Sequence, residues 1–68
     1  MKNFIEVTIS VIGHKSNVTI YIPAIAQIHS FEDGKRCRIL TIGPSENDAV
    51  TTDESYQEVL ELIKKAIE

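Results

Sequence analysis

Only one stretch of this chain repeats its apolar residues at helical spacing, so everything before it has to be structure for that stretch to cover. Tyr56, Val59, Leu60, Leu62, Ile63, Ala66 and Ile67 recur at steps of three and four, and Gln57, Glu58, Glu61, Lys64, Lys65 and Glu68 fill the opposite side. The start is marked too. Ser55 followed three residues later by Glu58 has the form of a capping box, in which the hydroxyl accepts from one backbone N–H and the carboxylate reaches back to another. Asp53, Glu54 and Glu58 put negative charge at the positive end of the helix dipole, and Lys64 and Lys65 put positive charge at the other end. The pattern predicts a helix over Tyr56–Glu68, capped by Ser55.

The segments before it have the period of strands. Ile5, Val7, Ile9 and Val11 alternate with Glu6, Thr8 and Ser10, which predicts a strand from Phe4 to Ile12 with one buried face. Gly13-His14-Lys15-Ser16-Asn17 reads as a polar hairpin loop, followed by a second strand, Val18 to Ile22, that Pro23 ends by removing a ladder donor. Ala24-Ile25-Ala26 is too short for a helix and suits a single turn that points Ile25 inward. Gln27 to Phe31 and Arg36 to Ile42 flank Glu32-Asp33-Gly34-Lys35, and Asp-Gly supplies the positive φ that a hairpin turn requires, so these two strands pair antiparallel. Gly43 to Asp48 is rich in breakers and reads as a loop, with a short strand at Ala49–Thr52 leading into the helix. The predicted fold is α+β: a small antiparallel sheet of four to five strands, open or curled into a half-barrel, packed by one C-terminal helix in one domain over residues 1–68.

Alternation then exposes a shortage of cover. If Ile5, Val7, Ile9, Val11 and Ile39 face the helix, Phe4, Ile12, Tyr21, Leu40 and Ile42 fall on the opposite face or its margins. One helix cannot shelter both faces. Either the sheet curls into a barrel or the second face packs on another chain. Phe4, Tyr21, Leu40 and Ile42 are therefore the candidate residues of a protein–protein contact. A short chain points the same way, because a domain of this size buries only about 60% of its unfolded surface and gains from association.

Composition narrows the function classes. Hydrophobic content of 43% with 25% charged residues is globular, and a net charge of −3 argues against general affinity for nucleic acid or acidic membranes. One cysteine, Cys37, makes no internal disulfide, which favours a cytoplasmic setting, and no apolar run is long enough to span a bilayer or serve as a signal peptide. Catalytic, cofactor and metal signatures are lacking. His14 and His29 show no metal-ligand spacing, and Gly13, Gly34 and Gly43 are isolated turn glycines outside any phosphate-binding pattern. A Cys37–His29 thiolate–imidazole pair across the Asp33-Gly34 turn is conceivable, but a packed strand cysteine beside a surface histidine explains both residues more simply.

The basic residues carry the alternative reading. Lys35, Arg36 and Arg38 follow the turn, Lys15 lies in the other predicted loop, and Tyr21 and Phe31 offer stacking faces, a layout suited to a small sheet that holds single-stranded nucleic acid. Glu32 and Asp33 beside the cluster oppose it.

The order of features resembles the small FlbD-like flagellar family. The residues that carry the resemblance are the hairpin Phe4–Val11, Pro23 with Ile25 and Ile28, Asp33-Gly34, and Glu54-Ser55 with Glu58-Val59 and Leu62-Ile63. Ile22 stands where that family favours Asn, and Gly43–Asp48 lengthens a loop it keeps short. Endings of the same kind occur in uncharacterised small bacterial proteins with no flagellar connection. The resemblance implies a non-enzymatic accessory or interaction protein and brings no catalytic residues. The leading expectation is a non-enzymatic, self-associating protein–protein interaction module without cofactor.

Overall fold

The computed structural model describes residues 3–42 and 47–68, with only the backbone of residues 47 and 48. The element order is β1 (Phe4–Val11), β2 (His14–Tyr21), a 3₁₀ turn (Ile22–Ala24), β3 (Ile25–Phe31), β4 (Arg36–Ile42), β5 (Asn47–Thr52) and α1 (Tyr56–Ile67). The strands form two antiparallel sheets, β1-β2 and β3-β4-β5, and neither closes into a barrel. Of the predicted breaker loop, residues 43–46 lie outside the described residues, whereas residues 47 and 48 belong to β5.

The first hairpin is longer and tighter than its composition suggests. The predicted loop over residues 13–17 shrinks to Ile12-Gly13, and Val11 pairs directly with His14. Both turn residues have positive φ, 50° at Ile12 and 78° at Gly13, as a two-residue turn that follows the right-handed twist of its strands demands. Polar His14 to Asn17 is thus strand, held by its register with β1 in spite of poor strand propensity. The single turn also moves, from 24–26 to Ile22–Ala24, because Pro23 fits the first turn of a 3₁₀ helix, and Ile25 then packs against the core. The second hairpin turn spends three successive left-handed residues, Glu32, Asp33 and Gly34, and Gly34 C=O accepts from Tyr56 N–H at 3.1 Å. That bond docks the turn on the helix start.

The core lies between the inner faces of the two sheets and α1. Ile5 and Val7 from β1, Ile20 from β2, Cys37 and Ile39 from β4 and Val59 from α1 are buried together, with Ile28, Val50, Leu62 and Ile63 packed around them. The expectation that Ile9 and Val11 also face the helix fails at its end. Ile9 is half-buried and Val11 is 55% exposed, because the hairpin runs on beyond the reach of a twelve-residue helix.

The capping box is present in full. Glu58 N–H donates to Ser55 Oγ at 3.1 Å and Ser55 N–H donates to Glu58 Oε1 at 3.0 Å. The Ser55 backbone N–H, then its side chain, hold the Glu58 carboxyl below its ordinary range, against a smaller opposing effect of desolvation. A lowered carboxylate pKa contributes stability that is present above the unfolded value and lost as pH falls through the folded one. Ser55→Ala removes the cap hydroxyl that accepts from Glu58 N–H and should cost about 1 kcal/mol at neutral pH. Alanine keeps the backbone N–H that is the larger cause of the Glu58 shift, so most of that cost should persist at pH values acidic enough to protonate Glu58, as read by urea titrations at both pH values.

Candidate interaction surface

A seam of polar contacts joins the two sheets and decides which strand edges remain open. Thr8 faces away from β2, and its free edge is occupied: Asp53 N–H donates to Thr8 C=O at 2.7 Å, and Thr8 N–H donates to Glu54 Oε1 at 2.8 Å. Ser10 Oγ donates to Asp53 Oδ2 at 2.6 Å. On the other side of Asp53, Arg36 reaches Oδ1 at 3.5 Å, donates through Nε to Thr52 C=O at 3.2 Å and pairs with Glu32 at 3.3 Å. Thr52 is fully buried and gives its hydroxyl proton to Glu54 C=O at 2.8 Å. No sequence motif announces this seam, because its members are single polar residues far apart in the chain.

The four apolar candidates fall in two places. Phe4 and Tyr21 are cross-strand partners on the outer face of β1-β2, with ring centroids 5.2 Å apart and planes tilted by 44°. This is a favourable aromatic geometry in a pair that stays partly open to solvent. Tyr21 also lines a groove with Val18, Thr19, Ala24, Ile42 and Val50, so Tyr21 and Ile42 share one concavity of about 320 Å³. Leu40 is apart from these. It is half-buried on the outer face of β4, beside His29, Phe31 and Arg38. Two exposed apolar residues outside the candidate set stand at the hairpin tip: Val11, and Ile12 at 93% exposure. The signal available in the sequence was the branched residue directly before Gly13.

The basic candidates do not converge. Lys15 is on β2, not in a loop, whereas Lys35, Arg36 and Arg38 belong to the second hairpin. Arg36 is engaged in the seam, Lys35 is exposed beside the turn, and Arg38 is exposed next to Phe31, Leu40 and His29. His29 takes Gln27 Oε1 as partner at 2.8 Å.

Cys37 and His29 are on opposite faces. Cys37 pairs with Ser30 and is fully buried, while His29 pairs with Arg38 and is exposed, so no thiolate–imidazole pair forms. Burial pushes the Cys37 thiol above the ordinary thiol range. The folded state thus favours the neutral thiol, and stability from this group is present below the ordinary thiol pKa of about 8.5 and lost as pH rises beyond it. Alkylation of the native protein at neutral pH should be slower than in urea by roughly a thousandfold, the protection that a few kcal/mol of global stability supplies. Mass spectrometry of iodoacetamide-treated samples measures it.

Other surface features hold less chemistry. A groove of about 480 Å³ between β1 and α1 is lined by Glu6, Glu54, Glu58 and Glu61, with Lys65 as its cation. Two of these carboxylates are committed, Glu54 to Thr8 and Glu58 to the helix cap. Among the described residues no group of three His, Cys, Asp or Glu is placed to hold a metal ion, and no helix is long and apolar enough to cross a membrane.

No protein-family model, curated protein or solved structure matches this chain. The flagellar resemblance accordingly rests on the sequence motifs alone.

Proposed function

We propose that this chain is a non-enzymatic protein–protein interaction module that works by self-association. The observation that carries the reading is the distribution of uncovered apolar surface. Of the eight large apolar side chains left exposed among the described residues, Phe4, Val11, Ile12 and Tyr21 all sit on the β1-β2 hairpin, and Ile42 borders the groove that Tyr21 lines. Phe4 and Tyr21 stand at one end of that hairpin and Val11 and Ile12 at its tip, and uncovered apolar patches mark contact sites on small proteins. The seam of Thr8, Asp53 and Arg36 keeps the hairpin fixed to the rest of the fold, so the surface is presented on a rigid support. The accessory role implied by the flagellar-type motifs agrees with this reading.

Light scattering across the micromolar-to-millimolar range tests it. Association that strengthens with concentration and weakens in the Tyr21→Ser/Ile42→Ser variant is the expected result. A monomer at every concentration would remove the proposal.

The second reading, a binder of single-stranded nucleic acid, is favoured by one arrangement: His29, Phe31 and Arg38 line a common groove. Binding that fades with salt and is lost in Arg38→Ala would support it, and no mobility shift at low salt would dispose of it.

A further inference from the structure

We propose that the open edge of β2 is the contact through which two copies of this chain join, strand against strand and antiparallel about Val18. The inference rests on the self-association reading and names the surface responsible.

Hydrogen-bond alternation shows which groups β2 offers. Ile22 N–H bonds to Asn3 C=O, and Thr8 directs both its backbone groups away from β2, so in this ladder Asn3/Ile22 is a bonded pair and Thr8/Asn17 an unbonded one. The unbonded residues of β2 are therefore Lys15, Asn17, Thr19 and Tyr21. Their N–H and C=O groups point outward, and no backbone partner meets them among the described residues.

Among the edge strands, β1 is engaged on its outer side at Thr8, and β2 and β3 differ in regularity. β3 carries a register break between Ile25 and Gln27, a bulge that spoils a strand edge for pairing, whereas β2 runs through eight consecutive pairs without one. β2 has no proline, and its single formally charged side chain is Lys15. A long, regular, nearly uncharged edge is a template for another strand.

The edge also complements itself. When two β2 strands run antiparallel with Val18 opposite Val18, Lys15 of one copy faces Tyr21 of the second and Asn17 faces Thr19. All four outward residues of each chain are then paired, giving about eight hydrogen bonds between the chains. Each cross-strand pair is favourable: an ammonium beside a phenol ring, and an amide beside a hydroxyl. The two Lys15 ammonium groups lie six residues apart along the pair, about 20 Å, so they do not repel strongly. No carboxylate stands on the edge. The same pairing carries the Ile12 tip of one hairpin towards Ala24 of the second copy, where the groove bordered by Tyr21 and Ile42 opens.

The test uses the full chain in light scattering, with circular dichroism to check the fold. Asn17→Pro removes an outward N–H that the hairpin itself does not use, and proline is tolerated at such an edge position. It should leave the spectrum unchanged and raise the dimer dissociation constant roughly a hundredfold. Two charge pairs test the register. Asn17→Lys/Thr19→Lys sets like charges opposite each other and should weaken the dimer, while Asn17→Asp/Thr19→Lys sets opposite charges there and should strengthen it. Should Asn17→Pro fail to fold, the contrast between the two charge pairs decides. If the wild type dimerises but folded Asn17→Pro or the charge pairs leave its affinity unchanged, the β2 contact is wrong and self-association stands. If the wild type is monomeric throughout, both fall.

Discussion

Ile39→Ala is expected to destabilise the fold by about 3 kcal/mol, a third or more of its stability. Ile39 sits on the central strand β4 between its cross-strand neighbours Ile28 and Val50, is 0% exposed and is among the largest fully buried side chains. Deleting its buried carbons removes their transfer free energy and leaves a cavity, together about 3 kcal/mol. A chain of this length holds roughly 3–10 kcal/mol in total, so between about a third and all of it is lost. Ile39→Val, which deletes one methylene, should cost only about 1 kcal/mol and provides the measurable comparison. Urea titration of both variants gives the values. A loss below about 1 kcal/mol for Ile39→Ala would mean that the core is not centred on β4.

Ile12→Asn is expected to stabilise the fold by about 1 kcal/mol and to raise Tm by roughly 5 °C. A branched side chain at φ 50° is strained by its Cβ, whereas asparagine tolerates the left-handed region and forms the preferred Asn-Gly pair with Gly13. Little is lost in exchange, because Ile12 is almost wholly in water in the isolated chain. Thermal melts at low protein concentration measure the gain. The same substitution removes apolar surface from the tip that the proposed dimer brings against the second copy, so affinity should fall as monomer stability rises. Opposite signs for the two quantities are the mark of strain retained for contact. A lower Tm in dilute solution would instead show that Ile12 packs against its own chain.

The helix, its cap and the second hairpin were legible because each is specified locally. Ser55 and Glu58 are three residues apart, and Asp33-Gly34 carries its own turn preference, so short-range chemistry suffices. The limits of the first hairpin were obscured for the same reason. Gly13 to Asn17 has the composition of a loop, and only the register of β2 on β1 turns His14 to Asn17 into strand. Among the candidate residues, period-two alternation separated Phe4, Tyr21, Leu40 and Ile42 from the core-facing set, and three of the four are indeed large exposed side chains. It did not group them, since grouping depends on how the two sheets are set against each other.

What the sequence determined by itself was the class of each segment and the shortage of helical cover, both consequences of side-chain periodicity along the chain. The tertiary structure alone decided that the strands divide into two sheets, that Asp53 and Glu54 engage the outer edge of β1 at Thr8, and that no backbone partner meets the outer edge of β2 among the described residues. Those outcomes rest on hydrogen bonds such as that from Asp53 N–H to Thr8 C=O, between residues 45 positions apart. Such bonds form only when packing has brought distant segments together, and no local pattern encodes them.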